Sequence, residues 1–172
     1  MYSNIEDYLF FWQIIDIKKK FSNMELKLSQ FFFTITKIFP VNIIVKEHFL
    51  FFFVNNEDYF KAKEYLRKLR SRLINRKILI LRNELTLIRL LFSFFQDTNI
   101  YDIILDQNKN SNKKLIKILY SINRDRAIAI GNNGLYIKII NFLFENYIKF
   151  RYYNNEQIKI PMEIRCELTK EK

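Results

Sequence analysis

Glycine is almost missing from this chain. Its 172 residues contain two, where average usage would give about twelve (~7%). Both fall in one tetrapeptide, Gly131-Asn132-Asn133-Gly134. Glycine takes positive φ most easily and lets another backbone come close. A chain that otherwise does without it uses this pair for a local purpose. Cysteine is nearly absent too. Cys166 stands alone, which excludes a disulfide within the chain and points to a reducing compartment. The one histidine, His48, sits in an apolar stretch with no partner nearby in sequence, and reads as a tolerated strand or turn residue. No metal-ligand spacing, P-loop or G-x-S-x-G is present, and the carboxylates form no paired motif. The reading is a protein that is not an enzyme, with no cofactor, no metal and no small-molecule substrate.

Long apolar runs are lacking as well. Phe31 to Val45 is very apolar, but Lys37 and Pro40 interrupt it, and it is too short for a membrane span. The N-terminus, Met1 to Asp7, lacks the basic region of a signal peptide and the arginines of a transit peptide. No membrane partner is expected. Localisation is expected in the cytoplasm, or in the matrix or stroma of an organelle.

What is abundant is positive charge and phenylalanine. Twenty-nine Lys and Arg against 18 Asp and Glu leave a formal net charge of +11, and 18 phenylalanines supply a core. Such a field favours polyanions. Phe, Ile, Lys, Asn and Tyr have A/T-rich codons and are heavily used, so part of the lysine content reflects an AT-rich genome.

Along the chain, residues 5–20 alternate apolar clusters with charge and predict an N-terminal helix ending at Lys18-Lys19-Lys20. Leu26 to Phe39 predicts a second helix stopped by Pro40. Strands follow at Val41–Lys46 and Phe49–Val54. Asn55-Asn56-Glu57-Asp58 supplies a turn and helix N-cap. Tyr59 to Ile74 predicts one helix, with Phe60, Tyr65, Leu66, Leu69 and Leu73 at helical spacing and Lys61, Lys63, Arg67, Lys68, Arg70 and Arg72 opposite. Lys77–Arg82 is a strand. Next come a helix from Glu84 to Gln96, a strand from Ile100 to Leu105, a polar loop over 106–112, and a strand from Lys114 to Ile122. A helix, the Gly-x-x-Gly, a second helix to Asn146 and a strand Tyr147–Tyr152 complete the pattern. The fold class read from this is α+β, in two tandem units of order α-β-β-α-α-β, each a three-stranded sheet covered by helices. The units span 26–83 and 84–153. Residues 1–25 form a helical extension and 154–172 a polar C-terminal tail.

Arg124-Asp125-Arg126-Ala127-Ile128-Ala129-Ile130-Gly131-Asn132-Asn133-Gly134-Leu135-Tyr136-Ile137-Lys138 resembles the second KH domain of the NusA transcription factors. Ala129-Ile130-Gly131, Gly134 and Lys138 carry the match. The first unit resembles the preceding KH domain of that tandem, but Lys63-Glu64-Tyr65-Leu66 stands where its Gly-x-x-Gly would be. Glu64 and Tyr65 are expected to continue one helix there. Where the family usually has Lys or Arg between the glycines, this chain has two asparagines.

The resemblance implies binding of single-stranded RNA in transcription elongation, termination or antitermination, with RNA polymerase as a possible partner. The ribosome is the other candidate, because small-subunit ribosomal proteins also contain KH domains and the basic surplus suits ribosomal RNA. The implied RNA-binding residues are Arg124, Arg126, Ile130, Gly131, Asn132, Asn133, Gly134 and Lys138, with a secondary contact at Lys63, Arg67 and Arg70. Ile128, Ile130, Ile137, Ile118 and Tyr120 are candidates for an apolar groove that accepts bases, or for the core. Tyr152 and Tyr153 read as packed aromatics at a strand end, with base stacking as the alternative.

Overall fold

A computed structural model describes residues 5–17, 20–106 and 111–170. Among them, 20–84 form one compact unit, and 5–17 with 85–170 form another.

The first unit runs α2 (Asn23–Thr36), β2 (Asn42–Lys46), β3 (Phe49–Val54), α3 (Tyr59–Glu64), α4 (Leu66–Arg72) and β4 (Lys77–Arg82). Ser22 and Glu25 form a reciprocal capping box at the start of α2. The helix ends at Thr36, not Phe39. Lys37 turns left-handed (φ 61°) and its N–H bonds back to Phe33, while Thr36 Oγ1 accepts from Ile38 N. This cap, rather than Pro40, is the stop.

β2 lies antiparallel to β3, and β3 parallel to β4. All six β3 side chains are buried, which is why Phe49–Val54 shows no alternation. Phe32 of α2 stacks on Phe52 at 4.5 Å, in a core shared with Ala62, Leu69, Ile78 and Ile80. The predicted single helix over 59–74 is two. Tyr65 (φ −89°, ψ −1°) separates α3 from α4. Nothing local demands that break. Tyr65 and Leu66 pack against the core cluster, and packing overrides helix propensity.

The second unit repeats the order with α5 (Leu87–Phe94), β5 (Ile100–Asp106), β6 (Lys114–Tyr120), α6 (Asn123–Ile130), α7 (Leu135–Asn146) and β9 (Met162–Leu168). β5 is antiparallel to β6, and β6 parallel to β9, as in the first sheet. The α+β double unit is therefore present, but its last strand is not the predicted one. Ile148–Arg151 (β7) leaves this sheet and pairs with β1 (Ile15–Ile17) on one side and β8 (Gln157–Ile158) on the other. The segment read as a polar tail supplies β9, with Met162, Ile164 and Cys166 buried. Its outward residues Glu163, Arg165 and Glu167 gave it the polar look.

The N-terminal extension is not one helix either. α1 (Ile5–Phe11) gives way to β1, where Ile15 and Ile17 favour extended backbone. Phe10 stacks on Phe150 at 5.7 Å, and Asp16 accepts from Arg151 and Gln157. Lys18 and Lys19 at the predicted helix end, and 107–110 of the predicted loop, lie outside the described residues.

Candidate nucleic-acid interface

The two glycines join α6 to α7, and the turn explains them separately. Gly131 has φ 78° and ψ 174°. A Cβ there would stand 2.6 Å from Tyr136 Cβ and 3.0 Å from Tyr136 N. Gly134, at φ 70°, is left-handed but open, with Ile130 Cγ2 at 4.0 Å as its contact. Asn133 shares the positive φ (51°). Asparagine is among the few side-chain-bearing residues that visit this region routinely. Backbone conformation therefore accounts for asparagine at 133.

Backbone bonds close the turn. Gly131 N–H bonds to Ala127 O at 3.0 Å, Gly134 N–H to Gly131 O at 3.1 Å, and Leu135 N–H to Asn132 O. Asn132 and Asn133 are exposed. Asn132 keeps negative φ and is followed by positive φ at Asn133 and Gly134. Such a turn can face successive N–H groups to one side, as anion-binding concavities do. It opens at the N-terminus of α7, where the helix dipole adds partial positive charge.

The predicted basic residues are not all brought to the turn. Lys138 is exposed one turn into α7, about 6 Å along the axis from Gly134 at ~1.5 Å per residue. Arg124 is exposed but lies at the start of α6, roughly 10 Å along the axis from Gly131. Arg126 is half-buried and is employed elsewhere. Its Nε donates to Cys166 O at 3.2 Å. This bond ties α6 to β9.

Asn141 of α7 makes a second tie, donating to Ile164 O at 2.9 Å and accepting from Ile164 N at 2.8 Å. β9 is an edge strand, and these two side chains cover its free edge while setting both helices against the sheet. Buried Asp125 in the first turn of α6 accepts from Asn99 N and Nδ2 at 3.0 and 2.9 Å. These positioning residues escaped sequence reasoning because their partners lie 23 to 40 positions away.

Of the groove candidates, Ile118 and Tyr120 are fully buried core residues. Ile128 is 44% exposed, and Ile130 and Ile137 are half-buried, so these three remain on the surface of the helix pair. Tyr136 donates to Phe94 O, and burial pushes its phenol far above the ordinary range. Tyr153, expected to pack, stands fully in solvent in the β7–β8 turn. Residues 123–146 are long and apolar enough by composition to cross a membrane. The glycine turn divides them, and α7 buries Tyr136, Ile139, Ile140, Leu143 and Phe144 in the fold.

Cys166 is on β9, not in a tail. Burial pushes its thiol up to about 12. The thiolate is the reactive form. Native protein at pH 8 is expected to react with an aromatic disulfide reagent at least ~100-fold more slowly than denatured protein. Equal rates would show that β9 opens freely.

In the first unit, Lys63 Nζ lies 5.8 Å from the Tyr59 ring centre, and Arg67 is exposed. Arg70 Nη2 donates to Ile78 O at 3.0 Å. His48 is on the exposed two-residue turn between β2 and β3.

No protein-family model matches the chain, and no curated protein matches it. Among solved structures it is similar to the crystal structure of APE1850, with 20% sequence identity and a TM-score of 0.56. The likeness covers 84% of this chain and 100% of that one. At this identity it shows a shared fold.

Proposed function

We propose that the turn between α6 and α7 is the clamp loop of a KH unit and holds the sugar–phosphate backbone of single-stranded RNA without catalysis. The observation that carries this reading is the turn itself, exposed at Asn132 and Asn133, with positive φ at Gly131, Asn133 and Gly134, where it opens α7. The two glycines keep side chains from holding phosphate away, Lys138 adds charge, and Ile128, Ile130 and Ile137 offer an apolar surface for unstacked bases. The resemblance of 124–138 to NusA factors supports a role in transcription elongation, termination or antitermination, with RNA polymerase as the larger partner. The net charge of +11 also favours a ribosome-bound form. Retention on ribosomes in high salt would select it.

The test is the affinity for a mixed-sequence single-stranded RNA across a salt series, with wild type beside Asn132→Asp/Asn133→Asp. Aspartate tolerates positive φ as asparagine does, so the turn is retained. Two carboxylates against phosphate are expected to lower affinity at least ~10-fold, about 1.4 kcal/mol. Equal affinity and equal salt slope would make the tetrapeptide an ordinary interhelical turn.

A further inference from the structure

The first unit gathers a basic recess where α4 leads into β4 beside the β2–β3 turn. It is open, about 500 Å³, and lined by His48, Arg70, Ile74, Asn75, Arg76 and Lys77. These residues come from the β2–β3 turn, from α4, and from the α4–β4 connection with the first residue of β4. No carboxylate lines it.

Two of the cations are held in place by backbone. Arg70 Nη2 donates to Ile78 O at 3.0 Å, and Arg76 Nη1 donates to Glu47 O at 2.8 Å. Lys77 Nζ sits 5.3 Å from the Phe49 ring centre. A guanidinium fixed through one nitrogen keeps its remaining donors in a rigid fork that matches phosphate oxygens, and loses little freedom on binding. Arg67, Lys68 and Arg72 on the same helix are exposed but do not line the recess. Gathering like charges without a carboxylate opposes folding, and such local conflicts concentrate at functional sites. Ile74, 85% exposed at the rim, offers an apolar contact to a ribose or base.

We infer that this recess is a second phosphate-binding site, engaging backbone phosphates of single-stranded nucleic acid through Arg70, Arg76 and Lys77. The ligand class rests on the RNA-binding reading above. It differs from the secondary contact suggested by sequence, which grouped Arg70 with Lys63 and Arg67 along one helix face.

The experiment uses the full chain and a mixed-sequence RNA of about twelve nucleotides, within the usual single-strand site sizes. Arg70→Gln/Arg76→Gln is compared with wild type, with Lys77→Gln, and with Asn132→Asp/Asn133→Asp, each over a salt series. The arginine pair is expected to lose at least ~5-fold in affinity and to flatten the log–log salt slope by about 1.4, the value for two lost single-strand phosphate contacts. Lys77→Gln removes charge without touching those backbone bonds, and is expected to flatten the slope by about 0.7. Arg70→Lys/Arg76→Lys should recover the slope but only part of the affinity. Wild-type slopes in both glutamine variants would overturn the recess. Loss in those variants with none in the aspartate pair would keep the recess and remove the clamp; the reverse would keep the clamp alone.

Discussion

A chain ended after Asn154 is expected to lose the folded state of residues 85–154. That cut removes β9, which pairs with β6 along seven residues, from Lys114↔Met162 to Tyr120↔Leu168. It takes away the buried side chains of Met162, Ile164 and Cys166, each worth about 1.5–3 kcal/mol for a typical large apolar residue and less for cysteine. It also orphans groups that remain. Arg126 loses Cys166 O, Asn141 loses both backbone groups of Ile164, and β6 gains an open edge flanked by fully buried Ile116, Ile118 and Tyr120. The sum is comparable to the whole stability of an ordinary domain, about 5–15 kcal/mol. Far-ultraviolet circular dichroism and thermal melting of the truncated chain check this. A cooperative transition in that chain with the wild-type midpoint would mean that β9 is dispensable.

Gly131→Ala and Gly134→Ala are expected to differ sharply although both residues have positive φ. At Gly134 an alanine meets open space, and the cost is the left-handed conformation alone, about 1–2 kcal/mol. At Gly131 (φ 78°, ψ 174°) the backbone lies in a region essentially confined to glycine, costing about 1–3 kcal/mol, and the new Cβ would lie 2.6 Å from Tyr136 Cβ. Tyr136 cannot withdraw easily. Its hydroxyl is bonded to Phe94 O and its ring packs edge-on against Phe95. Overpacking adds about 1–3 kcal/mol, giving about 2–6 kcal/mol for Gly131→Ala. Denaturant titration of the two variants measures the difference. Equal losses would mean that the α6–α7 approach relaxes.

The glycine tetrapeptide was legible because it is a local event: two glycines in a glycine-poor chain mark the place where α6 must turn into α7. The first five strands of the two sheets were legible for the same reason. Phe49–Val54 and Lys114–Tyr120 have the residue types of buried strands whatever surrounds them, and the repeat of element order followed from reading them in sequence. The break at Tyr65 was not legible, since glutamate, tyrosine and leucine would all continue a helix. The site was half legible. Gly131, Asn132, Asn133, Gly134 and Lys138 belong to one turn and its following helix, whereas Arg126 looks like any other surface arginine until Cys166 O is placed beside it. Ile118 and Tyr120 alternate correctly for a strand, but alternation does not say which face is covered.

The sequence by itself determined the local vocabulary of this protein: most of its helices and strands, their repeated order, the α6–α7 turn and the positive field. Hydrophobic spacing, caps and glycine act over a few residues and can be read without the fold. Only the tertiary structure decided partnership. Ile148–Arg151 and Met162–Leu168 are both short apolar-alternating strands, and either could have closed the second sheet. β7 pairs with β1, from the far end of the chain, and leaves β6 to β9. Strand pairing, edge coverage by Arg126 and Asn141, and the gathering of Arg70, Arg76 and Lys77 around one recess are long-range contacts. Their free energy exists only when distant residues meet, so no local pattern announces them.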